Sequence, residues 1–153
     1  MKKASLIILL IIIAVGGWYA YREYNRTNAD LKNKKADYNM YSSVLIGAFE
    51  QDTALANQQY VDKIVSVTGN VKSIDAAGNP AVISLGDAGQ MSSVQCSMDS
   101  THAADYKNIE EGDRVTIKGI CSGGRTQSLF GTDVIISRSI VESSKRPVPK
   151  STL

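Results

Sequence analysis

At 153 residues, with 43% hydrophobic and 21% charged side chains, the chain has room for one folded domain and its appendages. The formal charge of +2 is unevenly spread: residues 1–36 hold seven Lys/Arg and two acids, residues 144–153 hold three Lys/Arg and no acid, and residues 37–143 hold seven against thirteen, a net −6. So acidic a middle repels phosphate backbones and weighs against nucleic-acid binding, and a single histidine gives little support to a His-based metal cluster or a Ser-His-Asp arrangement.

In chain order, Met1-Lys2-Lys3 is a basic start, followed by an apolar run from Ala4 to Tyr21 that ends in Trp18, Tyr19 and Tyr21. As a helix that run spans about 27 Å, close to the ~30 Å hydrocarbon core of a bilayer. The aromatic cluster suits one interface, and Lys2 and Lys3 can snorkel at the other. Residues 1–21 are therefore predicted to be an N-terminal transmembrane anchor, which makes the membrane the first expected partner. A cleaved signal peptide is the rival, since Ala14-Val15-Gly16 offers small residues, but the run continues past them into bulky aromatics. No cysteine follows the run, which excludes a lipid-modified cleavage site. Arg22, Arg26, Lys32, Lys34 and Lys35 on the far flank would by count hold the domain in the cytoplasm. A short basic start leading straight into an apolar run is instead the layout of an exporting signal-anchor, and export is favoured. The expected address is the inner membrane, single-pass, with the domain on the periplasmic (extracytoplasmic) side. The basic ends suit anionic headgroups, or are simply solvated flanks.

Residues 22–37 read as a polar stalk rich in Asn and Lys. Between Tyr38 and Asn57, the apolar Tyr41, Val44, Leu45, Phe49, Leu55 and Ala56 approximate a helical stripe broken near Gly47. This predicts one amphipathic helix over about 40–57, packed on the barrel. Glu50, Gln51 and Asp52 on its exposed face argue against a membrane-surface helix. Five strands are predicted, over 61–74, 81–85, 91–98, 114–121 and 132–141. In the first, Val65, Val67, Gly69 and Val71 share a face; in the fourth, Val115, Ile117, Gly119 and Cys121 do. A glycine on the inward face of a β-branched strand marks a sharp bend or a close backbone approach. Ser100 or Thr101 caps a short helix through about Ile109, and residues 122–128 form a loop before the last strand. Three strands, a short helix and two strands make the layout of a five-stranded OB-fold barrel, mainly β, spanning 38–143 with its leading helix. Residues 144–153, with two prolines and three basic residues, are expected to be a disordered basic tail.

The passage Phe49 to Gly69, the segments Val94-Gln95-Cys96 and Lys118-Gly119-Ile120-Cys121-Ser122-Gly123, and Asp133-Val134-Ile135-Ile136 resemble the tRNA-anticodon-like family over about residues 44–142. The resemblance implies a small OB-fold domain of membrane-associated or lipoprotein type. The family name reports likeness to anticodon-binding domains and implies no established activity. Such sequences often carry a further cysteine in the last strand, where this chain has Ser139, and that departure puts any pairing with the last strand in doubt.

No catalytic constellation emerges, so no enzyme activity, cofactor or metal is expected. His102, beside Asp99 and Asp105, reads as a surface or capping residue, and Glu110-Glu111 as a solvated bend. Gly119 to Gly124 lacks the Lys-Ser/Thr of a phosphate loop and opens a hairpin rather than a helix. Cys96 and Cys121 share the inward face by alternation. Two readings stand for them: small buried thiols, or a disulfide across the barrel if the domain is exported. For ligands, an OB barrel offers the outer face of strands two and three with the loops after strands one and four. That face carries Val82, Ser84, Ser93, Gln95 and Ser97, with Arg125, Thr126 and Gln127 from the loop. Ser93, Gln95, Arg125, Thr126 and Gln127 are the candidate ligand-binding residues. No aromatic lies on those strands, so the stacking platform of single-strand binders is missing, and Phe130 alone sits near the rim. The expected function is a membrane-anchored, non-enzymatic OB-fold binding module of the cell envelope, for a protein partner or a small molecule. The alternative is a cytoplasm-facing single-stranded nucleic-acid binder.

Overall fold

The structure, a computed structural model, describes residues 12, 15–21, 31–127 and 131–145. The chain divides into two compact units, residues 1–30 and 31–153. In the first unit the described residues are helical and exposed. Among the described residues no helix is long and apolar enough to cross a membrane. The anchor predicted over 1–21 otherwise falls outside the described residues, as does most of the predicted stalk.

The second unit is built on the predicted alternation. Its elements are β1 (Tyr38–Tyr41), α1 (Ser42–Gln51), α2 (Thr53–Tyr60), β2 (Ile64–Asp75), β3 (Val82–Leu85), β4 (Ser93–Met98), a 3-10 helix (Ser100–Tyr106), β5 (Arg114–Gln127) and β6 (Gly131–Lys145). β2 runs antiparallel to β5 from Ile64 to Asn70, then to β3 from Val71 to Asp75. β3 pairs antiparallel with β4, β4 parallel with β6, and β6 antiparallel with β5. The β2–β5 pairing closes five strands into a barrel, as expected for an OB-fold. Val65, Val67 and Val71 face inward on β2, and Val115, Ile117 and Cys121 on β5, each at most 3% exposed.

Both inward glycines permit close approaches. A Cβ on Gly69 would stand 2.5 Å from Ser42 Oγ, and one on Gly119 2.5 Å from Ile136 Cγ2. The second lies where the β5–β6 register shifts between Lys118 and Ile120. The bend expected there is thus a bulge that brings β6 against bare backbone.

Several boundaries differ from the sequence reading. The helix expected over 40–57 is two helices, and the break is at Asp52 rather than Gly47. Asp52 is extended and its carboxylate accepts from Leu55 N–H at 3.0 Å, so it caps α2. Tyr41 belongs to β1, which lies parallel to β2 with Tyr38 opposite Val65 and Tyr41 opposite Thr68. That edge of β2 is open because β3 pairs only beyond Asn70. The end of the predicted stalk is not a spacer: Leu31 is 4% exposed, and the backbone oxygens of Lys32 and Lys34 accept from Lys118 Nζ. Asp99, rather than Ser100 or Thr101, caps the 3-10 helix, which ends at Tyr106. The loop expected at 122–128 is strand as far as Gln127, opposite Gly131. Of the predicted basic tail, Ser144 and Lys145 are paired with Val115 and Arg114, and the remainder lies outside the described residues.

α1 closes one end of the barrel with Leu45 and Phe49, both fully buried. Thr126 ties β5 to α2 through a 3.1 Å hydroxyl contact with Thr53, and to β6 through another of 3.1 Å with Thr132. Ser92 does the same for β4, donating to Glu50 Oε1 at 2.7 Å and accepting from Thr132 N–H.

Candidate functional site

Two outer faces present polar side chains. The first is the face expected from the sequence, on β3, β4 and β6. Register sets Ser84, Gln95 and Ile135 in one row and Ser93, Asp133 and Arg125 in the next. Ser93 is 5% exposed and its hydroxyl donates to Asp133 Oδ1 at 2.8 Å, so it holds β4 to β6 rather than meeting a ligand. Gln95 is half-buried and Arg125 exposed on this face. Thr126, one residue on, points to the helices, as strand alternation requires. The backbone of Gln127 closes the hairpin opposite Gly131. The structure therefore places Gln95 and Arg125 on one outer face, on either side of β6 and in adjacent rows, and engages the hydroxyls of Ser93 and Thr126 within the fold. Ile135, 42% exposed, is a centre that sequence reasoning missed.

The second face is formed by β1, the first half of β2, the start of β5 and the end of β6. Tyr41, Thr68, Thr116 and Ser143 make one row, and Asn70, Arg114 and Lys145 the next. All of these but Asn70 line an open cleft of about 560 Å³. The Thr68 and Thr116 hydroxyls are 2.9 Å apart, and the Arg114 guanidinium lies 5.5 Å from the centre of the Tyr41 ring. At the base, Lys118 is 4% exposed. Its ammonium meets Glu142 Oε1 at 2.8 Å and the carbonyl of Lys34 at 2.9 Å, which satisfies a buried charge. Ser66 Oγ donates to the other Glu142 oxygen at 2.5 Å. Partial burial pushes the Glu142 carboxyl up, but the hydrogen bonds from Lys118 and Ser66 outweigh it and hold the group below its ordinary value. Alternation marks Ser66, Thr68 and Thr116 as outward in the sequence; no local signal shows that β1 covers the β2 edge and carries Tyr41 beside Arg114.

The disulfide weighed from the sequence is not formed: Cys96 and Cys121 are free and fully buried. Ile136 pairs with Cys96 on one side and Cys121 on the other. Two strand spacings put the cysteine Cα atoms about 9–10 Å apart, beyond the ~7 Å a disulfide spans. Burial pushes the Cys96 thiol up to about 12 and also raises Cys121. These are core residues. Among the described residues no group of His, Cys, Asp and Glu is placed to hold a metal.

A family model described as tRNA_anti-like matches residues 1–135. No curated protein gives a significant sequence match. Among solved structures, the chain is similar to a Klebsiella pneumoniae protein provisionally described as a nucleic acid-binding lipoprotein, at 19% identity and a TM-score of 0.52, over 68% of this chain and 91% of that one. It is also similar to an OBody bound to hen egg-white lysozyme, at 18% identity and TM-score 0.40, over 55% and 99%. A third similar chain is a provisionally described aspartyl-tRNA synthetase from Leishmania major, at 14% identity and TM-score 0.45, over 79% of this chain and 23% of that one. The first likeness agrees with the OB-fold.

Proposed function

The chain belongs to the tRNA_anti-like family, and on that premise we propose that it is a non-enzymatic OB-fold binding module held at the cell envelope by its apolar N-terminal segment, taking a protein partner or small ligand on the outer face of β3, β4 and β6. The observation that carries the reading is the chemistry of that face. Its side chains are small and polar around the exposed Ile135, with Gln95 and Arg125 as the longer polar groups. An apolar centre with a polar rim suits a protein surface. The 18-residue apolar run of 4–21 supports membrane attachment, and the basic-start layout supports export.

A second reading is a cytoplasm-facing single-stranded nucleic-acid binder. The basic flanks favour it, and the Klebsiella protein's provisional description points that way for that protein. Against it stand the net −6 of residues 37–143 and the absence of an aromatic among the residues of β3 and β4. Full-length protein in neutral detergent, titrated with single-stranded RNA at physiological salt, separates the two. No submicromolar binding is expected. Tight binding with a steep salt dependence that is lost in Arg125→Gln would replace the envelope reading by the nucleic-acid one. A C-terminal reporter fusion, active only on the extracytoplasmic side, tests the address independently.

A further inference from the structure

Charges far apart in sequence converge on the second face. Lys118 Nζ binds the carbonyls of Lys34 and Lys32, at 2.9 and 3.4 Å, and so lays the segment with exposed Lys32, Lys34 and Lys35 beside the end of β6. Arg114 and Lys145 pair in register across the same sheet, and both are exposed. With Lys118 these make six cations near the cleft, against the carboxylates Asp37, Asp87 and Glu142. Over the rest of 31–145 the balance reverses, to five Lys/Arg against ten Asp/Glu. An acidic unit thus has one basic side.

That side is also available. Among the described residues, the Arg114 side chain meets only the Tyr41 ring, and Lys145 has no ion-pair partner. Asp113, the nearest acid in sequence to Arg114, is buried and turned to Glu110 N–H at 3.0 Å. Tyr41, 55% exposed, stands in the cleft lining as an amphipathic ring, which suits a headgroup boundary. Residues 22–30 connect Tyr21 to Leu31 and reach at most about 35 Å, so a membrane-held apolar run confines this unit to one bilayer surface.

We propose that the face around Arg114 and Lys145 docks on anionic lipid headgroups and so orients the domain on its membrane, leaving the β3–β4–β6 face directed elsewhere. The inference rests on the anchored reading above and adds the surface that meets the bilayer. Electrostatic attraction of this kind weakens within a Debye length and is screened by salt.

The test places a polarity-sensitive dye on Ser143→Cys, exposed at the cleft, in the full-length chain; buried Cys96 and Cys121 do not compete for it. The protein is reconstituted in phosphatidylcholine vesicles with or without phosphatidylglycerol. The dye should shift to the blue only with the anionic lipid, and the shift should reverse at high salt. In Arg114→Gln/Lys145→Gln the docked-to-undocked ratio should fall about thirtyfold, and in Lys145→Gln alone about fivefold. An unchanged unfolding midpoint verifies that these variants are folded. No shift with anionic lipid, an equal shift from a dye on Ala77→Cys in the exposed β2–β3 turn, or indifference to both variants overturns the proposal. Failure to float with neutral vesicles sinks the anchored reading, and the same dye with anionic vesicles then decides docking alone. A stronger response to single-stranded RNA at the same salt assigns the face to nucleic acid and rejects lipid.

Discussion

The ring of Phe49 fills the space that a side chain at Gly124 would need: a Cβ there would stand 2.4 Å from Phe49 Cδ1. Helix α1 therefore closes the barrel against bare β5 backbone, and the pairing of the largest fully buried side chain with the smallest residue sets how deeply it seats. Gly124→Ala should cost about 1–3 kcal/mol, since the neighbour is a ring with no open side, and Phe49→Ala about 3–5 kcal/mol. Phe49→Leu should recover part of the Gly124→Ala loss. Urea unfolding of the wild type, Gly124→Ala, Phe49→Leu and the variant with both changes measures the coupling, and strict additivity would show that the two positions do not share this space.

Lys118 joins the barrel to the segment before β1. Lys118→Ala removes the donor to the Lys34 carbonyl and the partner of Glu142, and should cost about 2 kcal/mol. The loss should be local as well as global. Amides of residues 31–37 should exchange faster in the variant, while those of β3 and β4 keep their relative protection. Uniform acceleration at every site would mean that the tether does no local work.

Two carboxyls contribute to the acid limb of stability. Asp99 is held below its ordinary 3.8 by the Thr101 N–H and then by the Thr101 hydroxyl. Glu142 is held below 4.5 by Lys118 and Ser66 in spite of partial burial. Both folded values lie under the unfolded ones, so the stabilisation is complete above about pH 5 and is lost as pH falls through the folded values. Asp99→Asn and Glu142→Gln should each be less stable at pH 7 and show a flatter decline below pH 4.5. A wild-type profile level down to pH 2.5 would contradict this.

The thiols should be silent in the native state. With Cys96 pushed up to about 12, its thiolate fraction at pH 8 is about one in ten thousand, and burial blocks access besides. Unreduced protein should take up no maleimide when folded and two equivalents when denatured. Rapid labelling of the native protein, or no labelling after denaturation, would each count against the buried free pair.

Much of the barrel was legible because strand alternation is a local property. Val65-Val67-Gly69-Val71 and Val115-Ile117-Gly119-Cys121 declare their inward face within a few residues, and five such runs around one short helix define the OB order. The outward serines and threonines followed from the same period. What period two cannot express is which strand lies alongside. Ile136 between Cys96 and Cys121, β1 on the open edge of β2, and Lys118 under the carbonyls of Lys32 and Lys34 are all pairings across long stretches of chain. The candidate face split for that reason. Gln95 and Arg125 share a face because β4 and β5 flank β6, whereas Thr126 turned to the helices once residues 122–127 proved to be strand. Charge behaved likewise: the sequence determined two basic ends around an acidic middle, and only tertiary contacts decided that Lys34 and Lys145 would stand on the same side, because position along a chain does not fix position in space until the non-local hydrogen bonds form.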